Sequence, residues 1–270
     1  MGNFNCRQWV ILIVVGQMQL IKKRVSDGSI LKLIKKCLRA SIVEEDPETG
    51  AKRIMKNRCG TPQGGVISPL LANLYLDGLD KAVNGGKKMK AVLIRFADDM
   101  VVLCRKGHGA QMYKCLKQWL EVHGLKLNEE KTRVVEFTQE SFEFLGFRLS
   151  RRKGRSGKYY PHTEPSPKSC NKLREAIRQE TIRSTLWKES EKVFTRVNQR
   201  VGGWAQYFHY GNSVQTFAKM ERYVENRMRH WLWKKHGSKH GKYTTPYINE
   251  RLHEQYGLIK LPLHASWKHS

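Results

Sequence analysis

The sequence predicts an α+β domain with an antiparallel sheet, followed by an α-helical domain. Three observations carry that prediction. Two short apolar runs, Ala91 to Phe96 and Met100 to Cys104, flank an Asp pair and read as buried strands of one hairpin. Strand and helix patterns alternate around them without a βαβ repeat, which favours an antiparallel sheet with helices on it. Beyond residue 170 the apolar residues recur only at helical spacing.

In chain order, Trp9 to Val15 is apolar but too short to cross a bilayer, and reads as a strand. No small-residue cleavage site follows it, which argues against export. From Gly28, Ile30, Leu33, Ile34, Cys37 and Leu38 recur at helix spacing, with Asp27 or Ser29 as cap. Residues 44–53 read as a turn between two extended pieces. Gly60-Thr61-Pro62-Gln63-Gly64-Gly65 feeds a helix that starts with Ser68 as N-cap and Pro69 in its first turn. Such a turn brings backbone close to a ligand, and Gln63 offers both donors and an acceptor. Met112, Leu116, Trp119 and Leu120 mark a further helix ended by Gly124. Arg133 to Phe137 and Phe142 to Leu149 are expected strands. Residues 151–170 are basic and proline-bearing, and are expected to be a linker. Two stripes follow, Val193/Val197/Val201/Trp204/Phe208 and Phe217/Met220/Val224/Met228/Trp231, which predict helices packed in a small bundle.

Composition narrows the partners. The chain has 270 residues, with Lys plus Arg at 50 against 24 acids, a formal net charge of +26. Hydrophobic content of 40% supports a real core. Such an excess of cations implies a polyanion, and the interleaved aromatics favour nucleic acid over a membrane surface. Arg196, Arg200, Arg222, Arg227, Arg229, Lys234 and Lys235 flank the two helical stripes with few acids beside them, a pattern suited to phosphate contacts. No two cysteines form a CxxC pair, so neither zinc nor a disulfide framework is indicated, and a cytoplasmic setting fits.

Asp98 and Asp99 sit between strands, where successive side chains face opposite ways. The pair by itself reads either as an Asp-Asp β-turn, Asp being a common turn residue, or as a divalent-metal site, which explains why two negative charges adjoin apolar strands.

Residues 60–69, 96–99, 128–132 and 145–147 stand in the order and spacing of reverse transcriptase motifs. From Leu20 onward the chain resembles a group II intron-encoded reverse transcriptase/maturase. Gly202-Gly203-Trp204-Ala205-Gln206-Tyr207-Phe208 resembles that family's thumb, or maturase, signature. The resemblance implies an unassigned stretch at 1–19, a partial palm at 20–150, the linker at 151–170, a helical thumb at 171–245 and a tail at 246–270.

It also implies roles. Phe96-Ala97-Asp98-Asp99 matches the palm's aromatic-x-Asp-Asp motif, with Phe where Tyr is commoner. Asp98 and Asp99 would be ligands to Mg²⁺, and Lys131 would stand near the leaving pyrophosphate. Gln63, Gly64, Gly65, Phe96 and Ala97 would meet the incoming nucleotide, and Leu145-Gly146-Phe147 would grip the primer. The implied partners are intron RNA, a DNA primer or target, and deoxynucleoside triphosphates. The family adds an Asp from an earlier strand, yet no acidic residue precedes Asp27. The expectation is therefore an N-terminally truncated chain lacking fingers and first palm motif, impaired in polymerisation. The alternative is a non-catalytic splicing cofactor that binds intron RNA.

Overall fold

The computed structural model describes residue 18 and residues 20–45, 50–55, 67–86, 90–236 and 249–261. Trp9 to Val15 and Gln63, Gly64 and Gly65 lie outside the described residues. The chain divides into two compact units, Met1–Val135 and Glu136–Ser270.

In the first unit, helix α1 (Gly28–Arg39) starts at Asp27, whose Oδ1 accepts from the amides of Ser29 at 2.7 Å and Ile30 at 3.1 Å. Strands β1 (Ile42–Glu45) and β2 (Lys52–Met55) pair antiparallel, as the turn pattern predicted. Helix α2 (Ser68–Asn84) begins one residue earlier than expected, with Ile67 at the N-cap and Ser68 and Pro69 in its first turn. Proline is tolerated there because that amide has no intrahelical acceptor. Strands β3 (Val92–Phe96) and β4 (Asp99–Leu103) form the predicted hairpin, with Phe96 opposite Asp99. Helix α3 (Gly109–Val122) ends where Gly124 turns to φ +68° and the amide of Leu125 donates to the Leu120 carbonyl at 2.8 Å. Leu76 and Leu79 of α2, Leu93 of β3 and Leu116 and Leu120 of α3 bury one face of the hairpin. A smaller cluster joins Ile21, Leu38 and Leu71.

Arg133 to Phe137 does not form the expected strand. It runs irregularly into a turn in which Gln139 donates to the Glu136 carbonyl, and Val134 is exposed. An apolar run becomes a strand only where a ladder partner takes up its backbone groups.

The second unit holds a three-stranded antiparallel sheet, ordered β5 (Phe142–Phe144), β6 (Phe147–Lys153), β7 (Tyr159–Pro165). Among the described residues four α-helices follow: α4 (Pro167–Glu180), α5 (Ser190–Phe208), α6 (Val214–His236) and α7 (Asn249–Glu254). Residues 151–170 are thus not a linker but the end of β6, all of β7 and the start of α4. Its prolines have structural places instead. Pro161 and Pro165 lie on β7, an edge strand that spares them ladder donation, and Pro167 opens α4 behind the Ser166 cap.

The two predicted stripes meet in one core. Val193, Val197, Val201 and Phe208 of α5 and Phe217, Met220, Val224, Met228 and Trp231 of α6 are all buried there. Leu252, Leu258 and Leu261 join them, so the described part of the expected tail belongs to this core. Among the described residues no helix is long and apolar enough to cross a membrane. Cys37, Cys104, Cys115 and Cys170 are free thiols.

Candidate active site and nucleic-acid interface

A two-residue turn, Ala97-Asp98, joins β3 to β4 and lifts both aspartates to an exposed tip. Such tight hairpins need left-handed backbone at the first central residue. Ala97 supplies it at φ +53°, a conformation that costs an L-residue about 1–2 kcal/mol.

Arg95 holds the turn in place. Its side chain is only 9% exposed and is paired with Asp80 of α2. Nε donates to Asp80 Oδ1 at 3.0 Å and Nη2 to Oδ2 at 2.7 Å. Nη1 donates to Asn73 Oδ1 at 2.8 Å and to the Ala97 carbonyl at 3.3 Å. Asn73 and Asp80 lie two helical turns apart, so one face of α2 presents both. Nearer the hairpin base, Asn84 Oδ1 accepts from the Leu93 amide at 2.7 Å and its Nδ2 donates to the Leu93 carbonyl at 3.4 Å. Asn73, Asp80, Asn84 and Arg95 were not singled out in the sequence. Their signal was a lone Arg inside an apolar strand, with acid and amide partners on the preceding helix.

The Asp99 carboxyl sits above the ordinary carboxylate range, through burial first and the charge of Asp98 second, with Lys131 opposing both. Lys131 is carried by a turn built on Asn128, whose Oδ1 accepts from the Lys131 amide at 3.1 Å. Thr132 closes the turn by donating its hydroxyl to the Asn128 carbonyl at 2.7 Å. The charge of Lys131 is therefore felt at the hairpin tip that carries Asp98 and Asp99. Two adjacent carboxylates in mutual repulsion suit a hard divalent cation, which takes oxygen ligands and relieves that repulsion. Another group, Glu221, Glu225 and His253, also clusters, but its atoms serve the fold. His253 Nε2 meets Glu225 at 3.1 Å, and Glu221 accepts from the Leu261 amide at 3.1 Å.

In the second unit, Leu145-Gly146 forms the turn between β5 and β6 with φ of +49° and +80°. The amide of Ser166 and the hydroxyl of Ser169 donate to the Gly146 carbonyl at 2.8 and 2.9 Å. The Tyr207 hydroxyl donates to the Leu145 carbonyl at 3.0 Å, while Phe147 lies against the rings of Tyr207 and Phe208. The turn expected to grip a primer is thus fastened to α5, the helix bearing the Gly-Gly-Trp signature.

Residues 17–149 match the reverse transcriptase (RNA-dependent DNA polymerase) family. Residues 170–247 match the group II intron, maturase-specific domain. The chain belongs to the group II intron-encoded reverse transcriptase/maturase family. Protein YkfC of Escherichia coli (strain K12) is 29% identical over 174 residues, covering 52% of this chain and 44% of that protein. Group II intron-encoded protein LtrA of Lactococcus lactis subsp. cremoris is 44% identical over 64 residues, covering 24% and 10%. The putative COX1/OXI3 intron 1 protein of Saccharomyces cerevisiae is 25% identical over 182 residues, covering 48% and 21%. The chain thus spans less than half the length of each of these relatives. The reverse transcriptase family works on nucleic acid and generally uses a divalent metal, commonly Mg²⁺.

Within the maturase-specific segment, the seven cations named from sequence separate into two groups. Arg227 donates Nε to Thr181 Oγ1 at 2.9 Å and Nη2 to the Thr181 carbonyl at 3.3 Å. Arg229, 12% exposed, contacts Glu225, Asn226 and Asn249. Lys235 donates to the carbonyls of Leu186 and Lys188, both at 2.7 Å. These three hold neighbouring segments to α6: Arg227 and Lys235 reach backbone carbonyls of the chain before α5, and Arg229 reaches the Asn249 side chain of α7. Arg196, Arg200, Arg222 and Lys234 are exposed. Arg196 and Arg200 flank Glu180 at 3.7 Å each, one acid between two cations.

Proposed function

We propose that the chain works as an RNA-directed DNA polymerase and intron RNA maturase of the group II type, in the cytoplasm. The observation that carries this reading is the clamped hairpin tip with Asp98, Asp99 and the nearby Lys131.

The reaction is in-line attack of a primer 3′ hydroxyl on the α-phosphate of a deoxynucleoside triphosphate, forming a phosphodiester and releasing pyrophosphate. Asp98 and Asp99 would hold Mg²⁺, which supplies charge stabilisation to the attacking and leaving oxygens when bound as a two-ion site. Arg95 and Asn84 keep the two carboxylates at one place by fixing the hairpin to α2. Lys131 offers a cation or proton donor to the departing pyrophosphate. Phe96 and Ala97, with Gln63, Gly64 and Gly65, would contact the incoming nucleotide, and Leu145, Gly146 and Phe147 the primer. The exposed thumb cations Arg196, Arg200, Arg222 and Lys234 would meet intron RNA phosphates.

The second reading is a splicing cofactor that binds RNA without chemistry, favoured by the net charge of +26 and the exposed Arg196, Arg200, Arg222 and Lys234. Primer extension on an RNA template with Mg²⁺, comparing the chain with an Asp98→Ala, Asp99→Ala variant, separates them. Extension abolished in the variant supports the first reading. Absent extension with tight, salt-sensitive binding of structured RNA supports the second. Neither extension nor binding refutes both readings.

A further inference from the structure

A cavity of about 520 Å³ opens in the second unit, lined by Phe147, Thr163, Gln206, Tyr207, Tyr210 and Gly211. Tyr207 and Tyr210 are 51% and 58% exposed, with Phe147 stacked on one side of Tyr207 and His209 against Tyr210. Gly211 has a built role in this wall. Its φ is +95°, and a Cβ there would meet the Thr163 carbonyl oxygen at 2.7 Å. Gln206 adds an amide that both donates and accepts.

The cavity continues onto the β6–β7 ribbon. Leu149 pairs with Thr163, Arg151 with Pro161 and Lys153 with Tyr159. Alternate residues share a face, so Phe147 and Thr163 at the cavity lie on the same face as Arg151, Lys153 and Tyr159. Arg151 and Lys153 are exposed, and the Arg151 guanidinium lies 4.0 Å above the Tyr159 ring. Stacked this way, its N–H edges stay available to an anion. Arg155 and Lys158 continue the charge around the ribbon tip. From Leu145 to Pro165 the sequence holds one acid, Glu164. It falls on the opposite face, bonded by Arg152 at 2.9 Å. From Phe147 to Lys153 this face runs about 20 Å. Residues 150–169 lie between the two segments that match family models.

We propose that this face is a track for single-stranded nucleic acid. An unpaired base stacks in the aromatic cavity, and the following phosphates run along Arg151 and Lys153. In a duplex, stacking between successive base pairs hides the flat faces that Tyr207 and Tyr210 would receive, so the track selects unpaired strand over duplex. The inference rests on the nucleic-acid reading above and adds a site to it.

The test is fluorescence anisotropy with a short labelled single-stranded RNA and a blunt RNA duplex, titrated at several salt concentrations. The full chain is compared with an Arg151→Gln, Lys153→Gln variant, a Tyr210→Ala variant and an Arg196→Gln, Arg200→Gln variant, each first checked by thermal melting. The ribbon variant is expected to lower the salt slope for single strand by about 1.4, or about 0.7 for each lost phosphate contact. Tyr210→Ala is expected to weaken single-strand binding about tenfold while leaving that slope unchanged. If both bind single strand like the wild type and only the Arg196, Arg200 variant loses affinity, the track is refuted and the nucleic-acid reading survives. Equal losses for single strand and duplex refute the selection of unpaired strand. A wild-type chain that binds neither RNA refutes the track together with the reading it rests on.

Discussion

Removing Asp80 tests whether Arg95 organises the candidate active site. In Asp80→Ala the Arg95 guanidinium, 9% exposed, loses two charge-assisted hydrogen bonds and its counter-charge. Breaking a buried pair by deleting one partner costs about 3–5 kcal/mol. Asp80 is itself 30% exposed, so water reaches the site and the lower end, about 3 kcal/mol, is expected. For a unit of this size that corresponds to a fall of about 10 °C in Tm. Calorimetry on the full chain reads it, with urea melting followed by fluorescence as a second probe. A companion Arg95→Met, Asp80→Leu variant removes both charges and keeps apolar volume, so most of the loss should return. A fall below about 3 °C in Asp80→Ala, or a double variant as damaged as the single one, would refute the clamp.

Three further outcomes are expected. Gly146→Ala forces a Cβ at φ +80° to within 2.9 Å of Ser169 Oγ and 3.3 Å of the Phe208 ring, and should destabilise the second unit by about 2 kcal/mol in urea melts. Asp99 holds its proton more tightly folded than unfolded, so its contribution to stability falls as pH rises through its raised value. Asp99→Asn should therefore melt higher than wild type at neutral pH but not below the carboxylate range, and Mg²⁺ should raise the Tm of wild type more than that of the variant. Lys235→Met deprives the Leu186 and Lys188 carbonyls of their donor and should lower the stability of the second unit with the RNA salt slope unchanged. The opposite outcome, a smaller slope at unchanged stability, is expected for Arg222→Gln with Lys234→Gln.

Much of this architecture is legible in the residues themselves. The Asp pair between two apolar runs specifies the hairpin, since runs that short and β-branched cannot bury themselves as helices. The α5 and α6 stripes specify their own buried faces, because a 3.6-residue period puts Val193, Val197 and Val201, or Phe217, Met220 and Val224, on one side. Two expectations failed for opposite physical reasons. Arg133 to Phe137 has strand composition but forms no ladder, whereas residues 151–165 look like linker and form one. Pairing is a non-local property, and proline is excluded only where its missing amide is needed, which an edge strand avoids.

The site divides the same way. The sequence alone nominates Asp98, Asp99 and Lys131 for the chemistry, because charge and motif spacing are written in the chain. Tertiary structure alone decided what holds them and which cations remain exposed. Arg95 is a clamp only because α2 turns Asn73 and Asp80 toward it. Arg227, Arg229 and Lys235 serve the fold only because carbonyls and side chains from distant segments arrive beside them. A side chain's type fixes what it can bond, and the path of the rest of the chain fixes what comes within reach.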